Sequence, residues 1–210
     1  MTNEEKQRFS LLTAALLAPP DDNLEADLGQ PELRWELEEV VTKWGGSADS
    51  LSSFFTQPGT RPVLSALEKE YERLFLDPQG EMVSLVESTY KPWMTDGRAG
   101  MTSDGSKGLL MGDRALHMEE LYRQCSIETP KELRPTPDHL VAELEFLALL
   151  IRCAPDEYTR QFVEDHLDWI AELGVEVEKA QAHPFYRTAV DVVRLFLANE
   201  VQRKQGCCHG

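Results

Sequence analysis

The sequence lacks the short motifs that mark the commonest enzyme classes. It has no Gly-x-Ser-x-Gly nucleophile motif and no glycine-rich phosphate loop of either common pattern. Its glycines cluster instead in "DGRAG" and "DGSKG", which are typical of turns. The four cysteines form neither a Cys-x-x-Cys site nor a dense disulfide framework, and we expect two of them to be reduced on helices. Nothing here requires catalysis, so we expect a protein that is not an enzyme and that uses no cofactor.

Basic residues and long apolar runs are also scarce. Lys and Arg number 21 against 37 Asp and Glu, which gives a formal net charge of -16, and no basic block offers a phosphate-binding stripe. Nucleic acid is therefore not an expected partner. No apolar run reaches the roughly 18 residues of a membrane span, and the first residues are acidic rather than basic, unlike an export signal. We expect a soluble, cytoplasmic protein without stable membrane insertion.

Helical periodicity dominates the sequence, and no segment alternates cleanly with a period of two. The clearest apolar stripe starts beside Pro31 and stops at Gly45; it comprises Leu33, Leu37, Val40 and Trp44. A second stripe predicts one helix between Pro155 and Gly174; it comprises Phe162, His166, Trp169 and Leu173. Another helix is predicted over Met118 to Cys125 with Asp113 as its cap. The pattern predicts an all-α fold of about eight to ten helices.

The chain is long enough and apolar enough, at 41% hydrophobic, to bury one core. A long irregular segment, about 77–107, interrupts the helical pattern. A second, shorter connection, "SIETPKELRPTP", separates the two helical groups. We expect a single helical domain, 1–205, with an N-terminal lobe at about 1–125, a hinge at about 126–136 and a C-terminal lobe at about 137–205. Residues 206–210 are expected to form a flexible tail.

The stretch "PTPDHLVAELEFLALL" places titratable groups at the start of an apolar helix. Thr136 is predicted as the N-cap, Pro137 as the first helical residue and Asp138 as a first-turn carboxylate. His139 and Glu143 are four residues apart and would share one face. Two interpretations stay open: a structural histidine hydrogen-bonded to Glu143, or a pair that contacts a ligand.

Two further glutamates lie among apolar residues. Glu70, in "EYERLF", falls on the apolar stripe, and if buried it must be paired, which would tie two helices together. Glu87, in "ESTYKPW", has Tyr90 and Trp93 near it in the sequence. The irregular segment that carries Glu87, Tyr90 and Trp93 is either a loop packed over the core or a surface that binds apolar peptides.

A metal site is an alternative. The chain has no Glu-x-x-His, the motif typical of helical di-metal sites. Isolated candidate ligands do exist: His117, His139, Glu143, His166 and, in the tail, Cys207, Cys208 and His209. A metal-binding helical protein that uses these residues is one alternative function, and a non-catalytic assembly adaptor is another.

Four segments occur in the order "EYERLF", "ESTY", "GLLMGDRALHMEELYRQC" and "PDHLVAELEFLALL", between about Glu70 and Leu150. Together they resemble the TorD/DmsD/NarJ-like family of redox-enzyme maturation chaperones. The resemblance implies an all-α cytoplasmic chaperone, a monomer or a domain-swapped homodimer, whose partner is the catalytic subunit of a molybdenum-containing oxidoreductase. Many members of the family bind the twin-arginine leader of that subunit, while the nitrate-reductase branch binds a client terminus without export.

The resemblance also implies which residues form the peptide site. Those of the helix start are Pro137, Asp138 and His139, with Glu143 behind them. The long loop would contribute Glu87, Tyr90 and Trp93. Residues that hold the groove together would be Glu70, Leu74, Phe75 and Phe146. No metal site and no catalytic residue belong to this prediction.

Overall fold

The computed structural model describes residues 1–54, 64–80, 82–91, 110–128 and 134–202. Trp93, most of the long irregular segment, the centre of the expected hinge and the tail at 206–210 lie outside the described residues. The predicted lobe boundaries and the Cys-Cys-His tail therefore stay predictions.

Helices account for all the regular secondary structure of the described ranges, which also contain one isolated antiparallel bridge, between Val86 and His139. The all-α prediction is confirmed. The α-helices are α1 (Asn3–Leu17), α2 (Asp22–Leu28), α3 (Pro31–Lys43), α4 (Leu64–Tyr71), α5 (Asp113–Gln124), α6 (Leu140–Cys153), α7 (Asp156–His166), α8 (Ile170–Lys179) and α9 (Pro184–Gln202). Short 3-10 turns span Ala48–Ser53 and Glu87–Thr89, and a π turn spans Glu72–Leu76.

Local sequence signals explain several helix ends. Thr2 caps α1 in a capping box with Glu5, each side chain accepting a hydrogen bond from the other residue's backbone N–H. Pro31 opens α3, as predicted, because its missing N–H is not needed in the first turn. Gly45 follows the end of α3 with a φ of 82°, a conformation that favours glycine.

The core forms where α1 packs against α6 and α9. Ser10 on α1 donates a buried hydrogen bond to the carbonyl of Leu144 on α6, at 2.8 Å. Lys6 and Glu200 form a buried ion pair at 2.6 Å that joins α1 to α9. The rings of Phe9, Trp44 and Phe196 lie within 5.8 Å of one another, which adds α3 to this contact. Within the described ranges, no helix combines the length and apolar character that a membrane span requires.

Two helix predictions are wrong in their limits. The single helix predicted between Pro155 and Gly174 is two helices, because α7 ends at His166 and α8 starts at Ile170. Leu167, Trp169 and Ile170, at this break, are all buried, and Gly174 lies inside α8 rather than at the end of a helix. Asp113 is the first residue of α5, not its cap; the N-cap position belongs to Gly112, which has no side chain to cap with.

Candidate functional site

Two distant segments meet beside the start of α6. The residues that lead into the Glu87–Thr89 turn lie next to the residues before the helix, with Leu140 N–H donating to Leu85 O at 2.8 Å and Glu87 N–H donating to Asp138 O at 3.0 Å. Val86 and His139 form the bridge between them. The "ESTY" and "PDH" motifs, which lie about 50 residues apart in the sequence, are therefore in contact.

Asp138 fastens the Glu87–Thr89 turn to this bridge. Its Oδ2 atom accepts one hydrogen bond from the Ser88 N–H, at 2.8 Å, and a second from the Ser88 hydroxyl. The Asp138 side chain is fully buried and precedes the helix, so its predicted position in the first turn of α6 is wrong. Asp138 lies in a turn before the helix, closed by the His139 N–H donating to Thr136 O at 3.1 Å, and its carboxylate is bonded to Ser88.

His139, rather than Thr136, is the N-cap of α6. Its Nδ1 atom accepts a hydrogen bond from the Val141 N–H at 3.3 Å. Burial lowers the pKa of His139 to about 4, so the ring is neutral at neutral pH. The interpretation that His139 bonds Glu143 is wrong: the cap position commits the Nδ1 atom to the backbone, while Glu143 accepts no hydrogen bond among the described residues.

Glu87 is buried with cationic and imidazole partners. His166 Nδ1 lies 2.8 Å from its Oε2 atom, and Lys91 Nζ lies 2.7 Å from its Oε1 atom. The Arg114 guanidinium is farther away, with Nε 3.9 Å from Oε1. Burial acts to raise the pKa of Glu87, but the hydrogen bonds from His166 and Lys91 outweigh it, so the pKa is lowered and the carboxylate is charged.

Glu143 lies in the first turn of α6 and is completely buried. Burial raises its pKa well above the usual value, and the neighbouring Glu87 carboxylate raises it further. Neither of its oxygens has a hydrogen-bond donor within the described ranges. Candidate ligand atoms of Glu87, Glu143 and His166 all lie within 4.8 Å of one another. We call these three residues the buried triad.

A second histidine extends the buried triad toward the surface. His166 Nε2 lies 2.8 Å from Nδ1 of His117, an exposed residue of α5. Burial lowers the pKa of His117, as does the neighbouring His166. The Phe162 ring stacks on His166 with 5.0 Å between centroids. Glu87, His166 and His117 were each predicted as candidate site residues, but the contact between Glu87 and His166 was not predicted, because 79 residues separate them. The available signal was a histidine on the otherwise apolar face of α7.

Cations cover the outer side of the buried triad. Lys91 also pairs with the Asp168 carboxylate and donates to the Asp165 carbonyl at 2.6 Å. Arg114 donates to the same carbonyl at 3.2 Å. That carbonyl lies in the last turn of α7, where the helix dipole is negative and favours cations. Neither Lys91 nor Arg114 was predicted from the sequence.

The aromatic residues around the bridge are packed into the core. Tyr90 is buried, stacks on Trp169 at 4.7 Å between centroids, and donates its hydroxyl to Ser84 O at 2.8 Å. Tyr122 on α5 donates to the carbonyl of Pro137 at 2.9 Å and packs edge-on against Phe146. These contacts fix the position of the "PDH" segment.

The predicted groove-support residues connect to the same region. Leu74 and Phe75 are buried in the π turn, and Leu74 O accepts from Val83 N–H at 2.8 Å, at the start of the segment that leads into the Glu87–Thr89 turn. Glu70 accepts from Arg73 and from the backbone N–H of His183 at 2.7 Å, just before α9. The expectation that Glu70 is paired and ties two helices together is confirmed.

The structure thus brings together most of the predicted peptide-site residues, but in the interior. Glu87, Asp138 and Glu143 are fully buried, Pro137 and Tyr90 are buried, and His139 is half-buried. Their contact with a peptide stays a prediction.

The fold and the site together define a class: an all-α protein with a buried polar cluster at the start of its central helix. The family model described as nitrate reductase delta subunit matches residues 37–174, a range that contains the whole cluster. The chain belongs to this family, which confirms the TorD-like family that its motifs indicated.

One relative is the chaperone protein TorD of Shewanella piezotolerans (strain WP3 / JCM 13877), which is 22% identical over 188 residues. The alignment covers 88% of this chain and 85% of that protein. The family and this relative together support a redox-enzyme maturation chaperone.

Proposed function

We propose that this protein is a cytoplasmic, non-catalytic chaperone that binds the leader peptide or the apo form of a molybdenum-containing oxidoreductase subunit. It assists cofactor insertion into that subunit and delays twin-arginine export or membrane assembly until insertion is complete. The proposal rests on membership of the nitrate reductase delta subunit family and on the similarity to a TorD chaperone.

The observation that carries the proposal is the contact between the two motifs to which the resemblance assigns peptide binding. Ser88 of "ESTY" donates twice to Asp138 of "PDH", and the backbones of the two segments bridge at Val86 and His139. This connection between residues 50 positions apart holds both motifs in one fixed arrangement below the surface, which lowers the entropic cost of ordering a binding site.

In this arrangement the buried carboxylates position the surface, and exposed groups beside them contact the client. His139 is half-buried at the surface end of the bridge, and Met82, at the start of the segment that leads into the Glu87–Thr89 turn, is 48% exposed. A methionine adapts to varied apolar side chains. The formal charge of -16 attracts a leader with paired arginines and accelerates its association at low ionic strength.

A binding experiment with a synthetic twin-arginine leader peptide tests the site. We expect the double variant Asp138→Ala/His139→Ala to weaken peptide binding at least about fivefold, or about 1 kcal/mol. Glu145→Ala is the matched control, because Glu145 is an exposed carboxylate on the same helix. Equal affinity of the double variant and the control, with both folded by circular dichroism, would contradict the site assignment.

Identification of the client tests the function itself. Protein captured with this chain from the native cytoplasm should contain a molybdoenzyme catalytic subunit, which mass spectrometry would identify together with any leader it retains. Failure to recover such a subunit from cells shown to express one would leave the family intact and remove the proposed function. A partner retained equally by the double variant would favour an assembly adaptor instead.

A further inference from the structure

The buried triad joins three separate segments: the Glu87–Thr89 turn, the first turn of α6 and the last turn of α7. We propose that Glu87, Glu143 and His166 form a binding site for a divalent first-row transition metal ion, with Zn²⁺ as the best fit. An ion there would cross-link the "ESTY" segment to both helices. The site shares Glu87 and Glu143 with the predicted peptide site, but the metal binds these residues without any client, so its test needs no client peptide.

The donor set suits such an ion. One imidazole nitrogen and two carboxylate oxygens are ligands that zinc accepts, with bonds of about 2 Å, and a tetrahedral ion then leaves its fourth position open. The three candidate ligand atoms already lie within 4.8 Å of one another. Side-chain adjustments of about 1 Å would bring them to the spacing that these bond lengths require.

The second observation is the state of Glu143. Its side chain is completely buried, and no donor of the described ranges reaches either oxygen. Its polar neighbour in the triad is the carboxylate of Glu87, with which it can only share a proton. That shared proton leaves at least one Glu143 oxygen without a hydrogen-bond donor in the interior, which is costly, and a cation between the two carboxylates would take the place of the proton.

His117 has the position of an outer partner of a metal ligand. A metal bound at His166 Nδ1 leaves the remaining ring proton of neutral His166 on Nε2. That N–H would then donate to Nδ1 of His117, 2.8 Å away. Metal-ligating histidines almost always donate their second ring N–H in this way, which fixes the tautomer and the ring orientation.

Lys91 is the competitor for Glu87. Its ammonium group lies 2.7 Å from Glu87 Oε1 and partly neutralises the carboxylate that the ion needs. Lys91 also contacts the Asp168 carboxylate and the Asp165 carbonyl, at the outer side of the triad. These two partners can retain the ammonium group when an ion takes Glu87, so removal of Lys91 should strengthen metal binding.

Calorimetric titration of the full-length protein with Zn²⁺ tests the site. Because the tail contains Cys207, Cys208 and His209, the titration uses the background Cys207→Ser/Cys208→Ser. We expect one zinc ion per chain, affinity lowered more than about tenfold by Glu143→Gln and by His166→Gln, and affinity raised by Lys91→Met. Glu145→Gln, two residues along the same helix and exposed, should bind zinc like the background protein.

Two further readouts keep the test independent of folding. Zn²⁺ should raise the melting temperature of the background protein but not that of Glu143→Gln, which is isosteric and removes one of the two adjacent carboxylates. Bound Co²⁺ should show no thiolate charge-transfer absorption, because the site has no cysteine. Three results would overturn the proposal. They are a zinc content well below one ion per chain, a zinc affinity of Glu143→Gln and His166→Gln equal to that of the background protein, and a zinc affinity unchanged in Lys91→Met.

Discussion

Asp138 accepts two hydrogen bonds from Ser88, a residue 50 positions earlier in the chain, one from the backbone N–H at 2.8 Å and one from the hydroxyl. Both residues are buried, so the bonds are shielded from water. Hydrogen bonds to a charged acceptor are stronger than neutral ones, and their loss in the interior leaves the acceptor unsatisfied. This pair therefore holds the Glu87 turn against the start of α6.

The variant Ser88→Ala removes the hydroxyl donor and leaves the backbone bond to Asp138. We expect the free energy of unfolding to fall by about 2 kcal/mol, because the buried carboxylate loses one of its two donors. Urea denaturation measures the change. Ser52→Ala is the control, because Ser52 is exposed, and it should stay within about 0.5 kcal/mol of the parent protein. Equal midpoints for the two variants would show that the hydroxyl bond does not stabilise the fold.

His139 should make stability depend on pH. Its pKa is lowered from an ordinary value of 6.5 to about 4 by burial, so the unfolded chain binds a proton between these values while the folded protein does not. Stability is therefore complete above about pH 6.5 and falls as the pH drops toward 4, by about 2 kcal/mol for a partly exposed ring.

The variant His139→Asn isolates this contribution, because asparagine caps a helix as well as histidine does but carries no ionisable ring. We expect a smaller loss of stability between pH 6.5 and 4 than in the parent protein, measured by urea denaturation across that range. His183→Asn is the matched control, since His183 accepts a hydrogen bond at the start of α9 in the same way but is exposed. Identical pH profiles for all three proteins would contradict the assignment.

The fold could be predicted from the sequence because helix signals are local. The apolar stripe of α3, its proline start and its glycine end all follow from residues a few positions apart. The division between α7 and α8 could not be predicted, because no proline or glycine marks the break at Leu167 to Trp169, whose residues Leu167 and Trp169 are buried against other elements. The spacing of apolar residues predicts which face of a helix is buried, but it does not predict where the other helices of the fold interrupt that helix.

Sequence motifs named residues that meet beside the start of α6, but they did not predict the contacts between these residues. Glu87, Asp138 and Glu143 were identified through motifs, yet their partners lie far away in the sequence: Ser88 for Asp138, and His166 for Glu87. Local spacing favoured a bond between His139 and Glu143, which four-residue helical spacing would allow. In the structure Asp138 is bonded to Ser88, α6 starts at Leu140, and His139 is the N-cap of the helix.

The ion pair between Lys6 and Glu200 should be worth far more than a surface pair. Both side chains are almost fully buried, at 6% and 5% exposure. Glu200→Met leaves the Lys6 ammonium group without this counter-charge in the interior, and we expect a loss of about 3 kcal/mol in the free energy of unfolding. The control is Glu38→Gln, which breaks the exposed Arg34–Glu38 pair and should cost about 0.5 kcal/mol or less.

The double variant Lys6→Met/Glu200→Met removes both buried charges. It should be more stable than Glu200→Met alone, since two apolar side chains of similar length can pack without an uncompensated charge. Chemical denaturation of the parent protein, Lys6→Met, Glu200→Met and the double variant completes the cycle. If the double variant were as unstable as the two single changes added together, the charges would not interact and the loss would be one of packing.

Tyr122 links the stability of the "PDH" segment to the proposed client binding. Its hydroxyl donates to the Pro137 carbonyl at 2.9 Å in the interior, so Tyr122→Phe removes one positioning bond while it keeps the ring packed on Phe146. We expect a loss of about 1 kcal/mol in unfolding free energy. If the segment forms part of the client site, affinity for a twin-arginine leader should also fall several-fold, because the free site becomes less ordered. Tyr158→Phe is the control, since Tyr158 is 56% exposed on α7. Lower stability with unchanged leader affinity in Tyr122→Phe would separate this segment from the client site.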